Sequence, residues 1–163
     1  MCRLAVGDGE AVLAAIDAWR PTTLFLDFDL TLCSTKGGAD PLAPGSAHTV
    51  DAELHAAADL IARQGDGQSD GQRGDRSGDR SGGGGVHVVT RNRHTRQIRS
   101  FLEERGVPLA AVHSTPRGEP KAAYMAATLG GGERAVFVDD SAGEVGEARV
   151  RADPRIFRVL MQR

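Results

Sequence analysis

The chain is predicted to fold as an α/β protein, with helices layered on both sides of a mostly parallel central sheet. Two observations predict this. Short apolar runs alternate with stretches of helical periodicity all along the chain, the pattern of repeated strand–helix–strand units. The runs TLFLDF (23–28), VHVVT (86–90) and AVFVDD (135–140) are apolar on consecutive residues instead of every second one, which marks strands covered on both faces. With 163 residues and 40% apolar content, the chain is sized for one domain, spanning 1–163, with a sizeable core.

The elements follow in order. Asp8 can cap a helix whose apolar face holds Val12, Leu13, Ile16 and Trp19, and Pro21 stops it. TLFLDF follows as a buried strand. The Gly- and Pro-rich loop STKGGADPLAPGS leads to a second helix with Val50, Leu54, Ala57, Ala58 and Ile61 on one side. From Gln64 to Gly85 only Gly, Asp, Arg, Ser and Gln occur, with GDRS repeated at 74 and 78. Such a stretch buries nothing to offset the entropy of ordering, so 64–85 is expected to be a flexible surface insert. Its acids match its arginines and it has no aromatic residue, so it reads as a tolerated expansion more than as a nucleic-acid tether. Beyond it come strand VHVVT, helix RHTRQIRSFLEER closed by Gly106, a short strand around AAVHS, and helix PKAAYMAATL. Strand RAVFVDD, one helix SAGEVGEARVR and strand RIFRVLM complete the chain.

Composition narrows the function classes. A formal net charge of −2 offers no whole-chain attraction to nucleic acid. No apolar run approaches the roughly 18 residues of a spanning helix, and Asp8, Glu10 and Asp17 interrupt the start where a leader peptide avoids acids. Two isolated cysteines, Cys2 and Cys33, suit a reducing compartment, so an intracellular, cytoplasmic or nuclear protein without membrane partners is expected. The histidines show no ligand spacing, and His87 and His113, in apolar strands, read as hydrogen-bonded packing residues.

In parallel sheets ligands bind beyond the carboxyl ends of the strands, so the residues there carry the functional information. These are Asp27-Phe28-Asp29, Thr90 and Asp139-Asp140. Side chains two apart on a strand point the same way, so Asp27 and Asp29 face one site if the strand stays extended, while Phe28 points back into packing. Four carboxylates converging on one crevice would repel, and a hard divalent cation such as Mg2+, which favours a few carboxylates, water and a substrate phosphate, would relieve them.

DFDLT (27–31), VVT (88–90), Lys121 after a proline, and VFVDDSAGE (136–144) resemble the four ordered motifs of the haloacid dehalogenase superfamily of phosphatases and phosphotransferases. The likeness runs from about Thr23 to Met161 and implies a Rossmann-like core. The interval after the first motif is taken up by the Gly/Pro loop, one helix and the 64–85 insert, and the interval from Gly106 to Pro120 has no room for a cap domain, so the chain is similar to capless phosphatases of that superfamily. The resemblance implies that Asp27 is a nucleophile forming an aspartyl-phosphate, that Asp29 is the acid and base beside it, and that Lys121 neutralises charge on both nucleophile and phosphoryl group. It implies that Thr90 binds the phosphoryl oxygens. Arg91, next along the chain, is placed to add a planar fork for phosphate. Mg2+ would be held by Asp27 and Asp140, with the backbone carbonyl of Asp29 and with Asp139 in support. Glu144 is implied to hold the lysine or a metal-bound water, although Ser141 and Glu144 also form a capping box that needs no catalysis. The second aspartate favours phosphoryl transfer over dehalogenation. An open, capless site suits a phosphorylated macromolecule such as a phosphoprotein. A phosphorylated nucleic-acid end, or a catalytically silent module binding a phosphorylated partner, are the alternatives.

Overall fold

The computed structural model describes residues 3–35, 38–66 and 84–162. Six strands form one sheet: β1 (Leu4–Gly7), β2 (Thr23–Leu26), β3 (Gly85–Thr90), β4 (Ala111–Ser114), β5 (Ala135–Asp139) and β6 (Ile156–Met161). Their spatial order is β1-β6-β5-β2-β3-β4, and every neighbouring pair is parallel. Helices α1 (Gly9–Trp19), α2 (Ala52–Asp66) and α3 (Thr95–Glu103) share a core with one face of the sheet. Helices α4 (Lys121–Thr128), α5 (Ala142–Val145) and α6 (Ala148–Ala152) share a core with the other. This is the expected three-layer α/β/α, Rossmann-like arrangement, and the described residues form no second domain.

The alternation of side chains along a strand decides what each face receives. Leu24, Leu26, Val86, Val88, Val136 and Val138 pack with Ile16, Ala57, Ile61 and Ile98 beneath α1–α3. Phe25, Val89, Ala135 and Phe137 pack with Met125, Val145 and Val150 beneath α4–α6. Each large side chain buried this way contributes roughly 1.5–3 kcal/mol relative to exposure. The parity continues past the apolar residues. Asp27 and Asp139 fall in the set of Phe25 and Phe137, on the side of α4, whereas Phe28 falls in the opposite set. Phe28 is fully buried there, stacked on His48 and edge-on to Phe101.

Local chemistry accounts for most boundaries. Asp8 caps α1 by accepting the Glu10 amide at 3.2 Å, and α1 ends with Arg20 in a left-handed conformation just before Pro21. Gly106, at φ +72°, closes the turn after α3. One strand adds to the expected elements and four expectations are corrected. The added strand, β1, has no counterpart among the elements expected from the sequence. Its four residues lie on the sheet edge, with Leu4 and Val6 exposed, so no double burial marks them. β2 ends at Leu26, short of Phe28, and Val50 lies before α2 in a bridge with Cys33. The predicted final helix is two, α5 and α6. Gly146 intervenes, and the Glu147 carboxylate caps α6 by accepting the amides of Arg149 and Val150. Of the expected insert at 64–85, its first residues belong to α2 and Gly85 opens β3; 67–83 lie outside the described residues.

Candidate functional site

β2 and β5 lie side by side although β3 and β4 come between them in sequence, so the chain reverses direction across the sheet between them. A crevice at the carboxyl ends of the strands is expected there. Leu26 is in register with Val138. One step further, Asp27 comes opposite Asp139, and the Asp27 amide still donates to the Val138 carbonyl at 3.0 Å. Both carboxylates therefore point toward the α4 face, and α4 starts at Lys121. Its Nζ donates to Asp27 Oδ1 at 2.5 Å and to Asp139 Oδ2 at 2.7 Å. Lys121 is 2% exposed, Asp27 6% and Asp139 1%.

One buried cation thus serves two buried carboxylates. Burial pushes the pKa of Asp27 up to about 7, with Lys121 pulling it down and Asp139 pushing it further up. Asp139 is raised for the same first reason, burial outweighing Lys121. Burial works against the charge on Lys121, but the two carboxylates outweigh it and raise its pKa above that of an ordinary lysine. Such a group is a poor stabilising device, because desolvating the charges costs about as much as their attraction returns. Its position in a cleft marks it as a candidate functional site.

Asp140 adds a third carboxylate. Its amide donates to Thr31 Oγ1 at 3.0 Å. Its exposed side chain places a carboxylate oxygen within 4.8 Å of oxygens on Asp27 and Asp139. These three aspartates could hold a metal ion. The donors are all hard oxygens, the chemistry that suits Mg2+ or Ca2+ and disfavours soft metals. Lys121 engages one oxygen of Asp27, and Asp139 is committed on both sides, to Lys121 and to the Ser141 amide at 2.8 Å. The coordination left over therefore belongs mainly to Asp27 and Asp140.

The remaining expected residues are spread around the same cavity of about 970 Å³. Because β2 has ended and Leu30 adopts φ +58°, Asp29 does not continue an extended strand. It lines the cavity from a turn, half-buried, and its Oδ1 accepts the Gly38 amide at 3.1 Å. Thr90, fully buried at the end of β3, also lines the cavity, and its hydroxyl accepts the Asn92 amide at 3.1 Å. Arg91 and Glu144 take different places from those expected. The Arg91 guanidinium donates to Glu144 Oε1 through Nε, at 3.1 Å, and through Nη2, and to the Pro116 carbonyl through Nη1 at 2.6 Å. Every nitrogen of that fork has a protein acceptor, so Arg91 is a strut between the ends of β3 and β5. Glu144 holds this strut and not Lys121, and lies outside the carboxylate group. The lysine-holding part expected of it is taken by Asp139. Half of the capping box forms, with the Ser141 hydroxyl accepting the Glu144 amide at 3.4 Å.

Two buried residues of the cavity escaped the sequence reading. Asn92, 2% exposed, donates to the Ala39 carbonyl and accepts the His94 amide, both at 3.0 Å, tying the loop after β2 to the loop after β3. Its signal was a small polar residue two positions beyond a strand end, where side chains bond their own backbone. The other is Thr115, discussed below. His87 and His113 are packing residues, the first bonded to the Tyr124 hydroxyl at 3.1 Å and the second stacked on its ring at 4.0 Å. No described helix is long and apolar enough to cross a membrane. Comparison with protein families, with curated proteins and with solved structures returned no match.

Proposed function

We propose that the chain is a Mg2+-dependent phosphomonoester hydrolase of the haloacid dehalogenase type, acting through an aspartyl-phosphate on Asp27. The observation that carries this reading is the buried contact of Lys121 with Asp27 and Asp139, beside Asp140 and in one cavity with Thr90 and Asp29. It assembles the resembling motifs from separate elements, which their order in the chain alone does not require.

Asp27 and Asp140 would hold Mg2+, with Asp139 in support, and the ion would supply charge neutralisation for the nucleophile and the phosphoryl oxygens. Asp27 attacks phosphorus; the bond to the leaving oxygen breaks as Asp29 delivers a proton to it. Water then attacks the phosphoryl group and gives its proton to Asp29. The bond to Asp27 breaks and inorganic phosphate departs, restoring both aspartates. Lys121 holds positive charge beside the attacking carboxylate throughout, and the Thr90 hydroxyl, in the same cavity, would orient the phosphate. The open cavity suits a phosphorylated protein side chain as substrate.

The test is hydrolysis of an aryl phosphate with Mg2+, with EDTA, and by Asp27→Asn protein with Mg2+. Turnover should require both the metal and Asp27. Equal turnover in the three, from clean protein, would sink the reading, and no turnover on any phosphate ester would leave the silent phosphate-binding module in its place.

A further inference from the structure

We propose that the β3–β4 side of the cavity is a second anion subsite, so that the preferred substrates carry another phosphate or carboxylate on the molecule that bears the scissile phosphate. This rests on the hydrolase reading above. The cavity is divided by charge. Its β2–β5 side is acidic, while Arg93 and Arg117 line the β3–β4 side. Both are exposed, and among the described residues neither has an acidic partner, in contrast to Arg91, which Glu144 neutralises. Two uncompensated guanidiniums facing one cavity recognise a phosphate or a carboxylate through paired N–H donors.

Thr115 supplies an independent observation. It lines the cavity, is 4% exposed, and its hydroxyl is buried without a hydrogen-bond partner. Buried polar atoms are seldom left so, because the lost hydration is not replaced. An anionic oxygen in the subsite satisfies it. The Thr115 amide donates to the Thr90 carbonyl at 2.8 Å, which fixes Thr115 beside the residue proposed to orient the scissile phosphate. The second anion therefore lies next to the reacting one. A metal ion neutralises the acidic side alone and leaves Arg93 and Arg117 without an anion.

The experiment measures kcat/KM with Mg2+ for two matched pairs: a phosphoserine peptide with Ala or with Glu neighbours, and a nucleoside 5′-monophosphate or 3′,5′-bisphosphate. At least one pair should favour the doubly anionic member by about tenfold, mainly through KM, and the pair that does so identifies the source of the second anion. That ratio should fall toward one in Arg93→Ala and Arg117→Ala, and about fivefold in Thr115→Val, which keeps the volume and removes the hydroxyl. Equal kcat/KM within both pairs, or a ratio that survives both arginine variants, overturns the subsite. If no ester is turned over, inorganic phosphate titrated calorimetrically in EDTA into Asp27→Asn protein separates the two readings. Binding lost on adding Arg93→Ala and Arg117→Ala upholds the subsite without the hydrolase; no binding to Asp27→Asn overturns it.

Discussion

Lys121 is the residue on which the site depends, because among the described residues it alone forms ion pairs with the two carboxylates that strand register forces together. Lys121→Met keeps the length and removes the charge, leaving Asp27 and Asp139 facing each other. The loss of stability is expected to be roughly 3–5 kcal/mol in EDTA at pH 8, read by urea unfolding, with turnover abolished. A variant as stable as the parent would show that the carboxylates do not feel one another. Asp139→Asn has a gentler outcome. It removes one of the influences that raise Asp27, so Asp27 should titrate below about 7, which carboxyl NMR would detect. At this scale the sequence was readable where one strand sufficed. TLFLDF shows by itself that an apolar run ends in Asp27. The division of labour between Asp139 and Asp140 was not readable, because it requires knowing that β5 pairs with β2 and that α4 covers that face. Arg91 with Glu144, far apart in sequence, is illegible for the same reason.

Among the elements, the loops beyond the strands are held by single polar side chains. Asn92 is the connection between the loop after β2, which carries Asp29, and the start of α3. Asn92→Ala leaves the Ala39 carbonyl and the His94 amide without these partners, at a cost of about 1–3 kcal/mol. Hydrogen exchange should accelerate around Gly38 to Asp40 more than in the central strands, and KM should rise more than kcat falls. Uniform acceleration through the sheet would show instead that the whole fold had loosened. The Glu147 cap makes a simpler case: Glu147→Ala should cost about 1 kcal/mol by unfolding and leave the cavity unaltered, since neither Glu147 nor any residue of α6 lines it. Legibility followed burial here. β2, β3 and β5 are covered on both faces and announce themselves; β1, at an edge, does not. The break between α5 and α6 had a signal in Gly146 followed by a capping Glu147, but helices of four and five residues are too short for periodicity to separate.

For the whole molecule, the buried site couples folding to protons and to any cation the three aspartates hold, and the sign of that coupling follows from the raised carboxylates. An aspartate with an ordinary value of 3.8 that folds to one of about 7 binds its proton more tightly in the native state. It therefore contributes stability that is fully present below the ordinary value and is lost as pH rises through about 7. Asp139, raised as well, acts in the same direction. Asp153 is opposite: its hydrogen bonds from Arg155 lower its pKa, so its contribution is present above the ordinary range and is lost on acidification. In EDTA, Tm should consequently pass through a maximum in mildly acid solution and decline between about pH 5 and pH 8. A divalent cation binds only the ionised carboxylates, so it competes with those protons. The rise in Tm produced by Mg2+ should be small at pH 5.5 and grow toward pH 8, by the mass-action relation between ligand concentration and stability. Asp27→Asn should flatten both trends, because the amide neither titrates nor carries charge to the metal. Calorimetric scans across that range, with and without Mg2+, measure this directly. A Mg2+ shift that is the same at pH 5.5 and pH 8, or is unchanged in Asp27→Asn, would place the cation somewhere other than these aspartates.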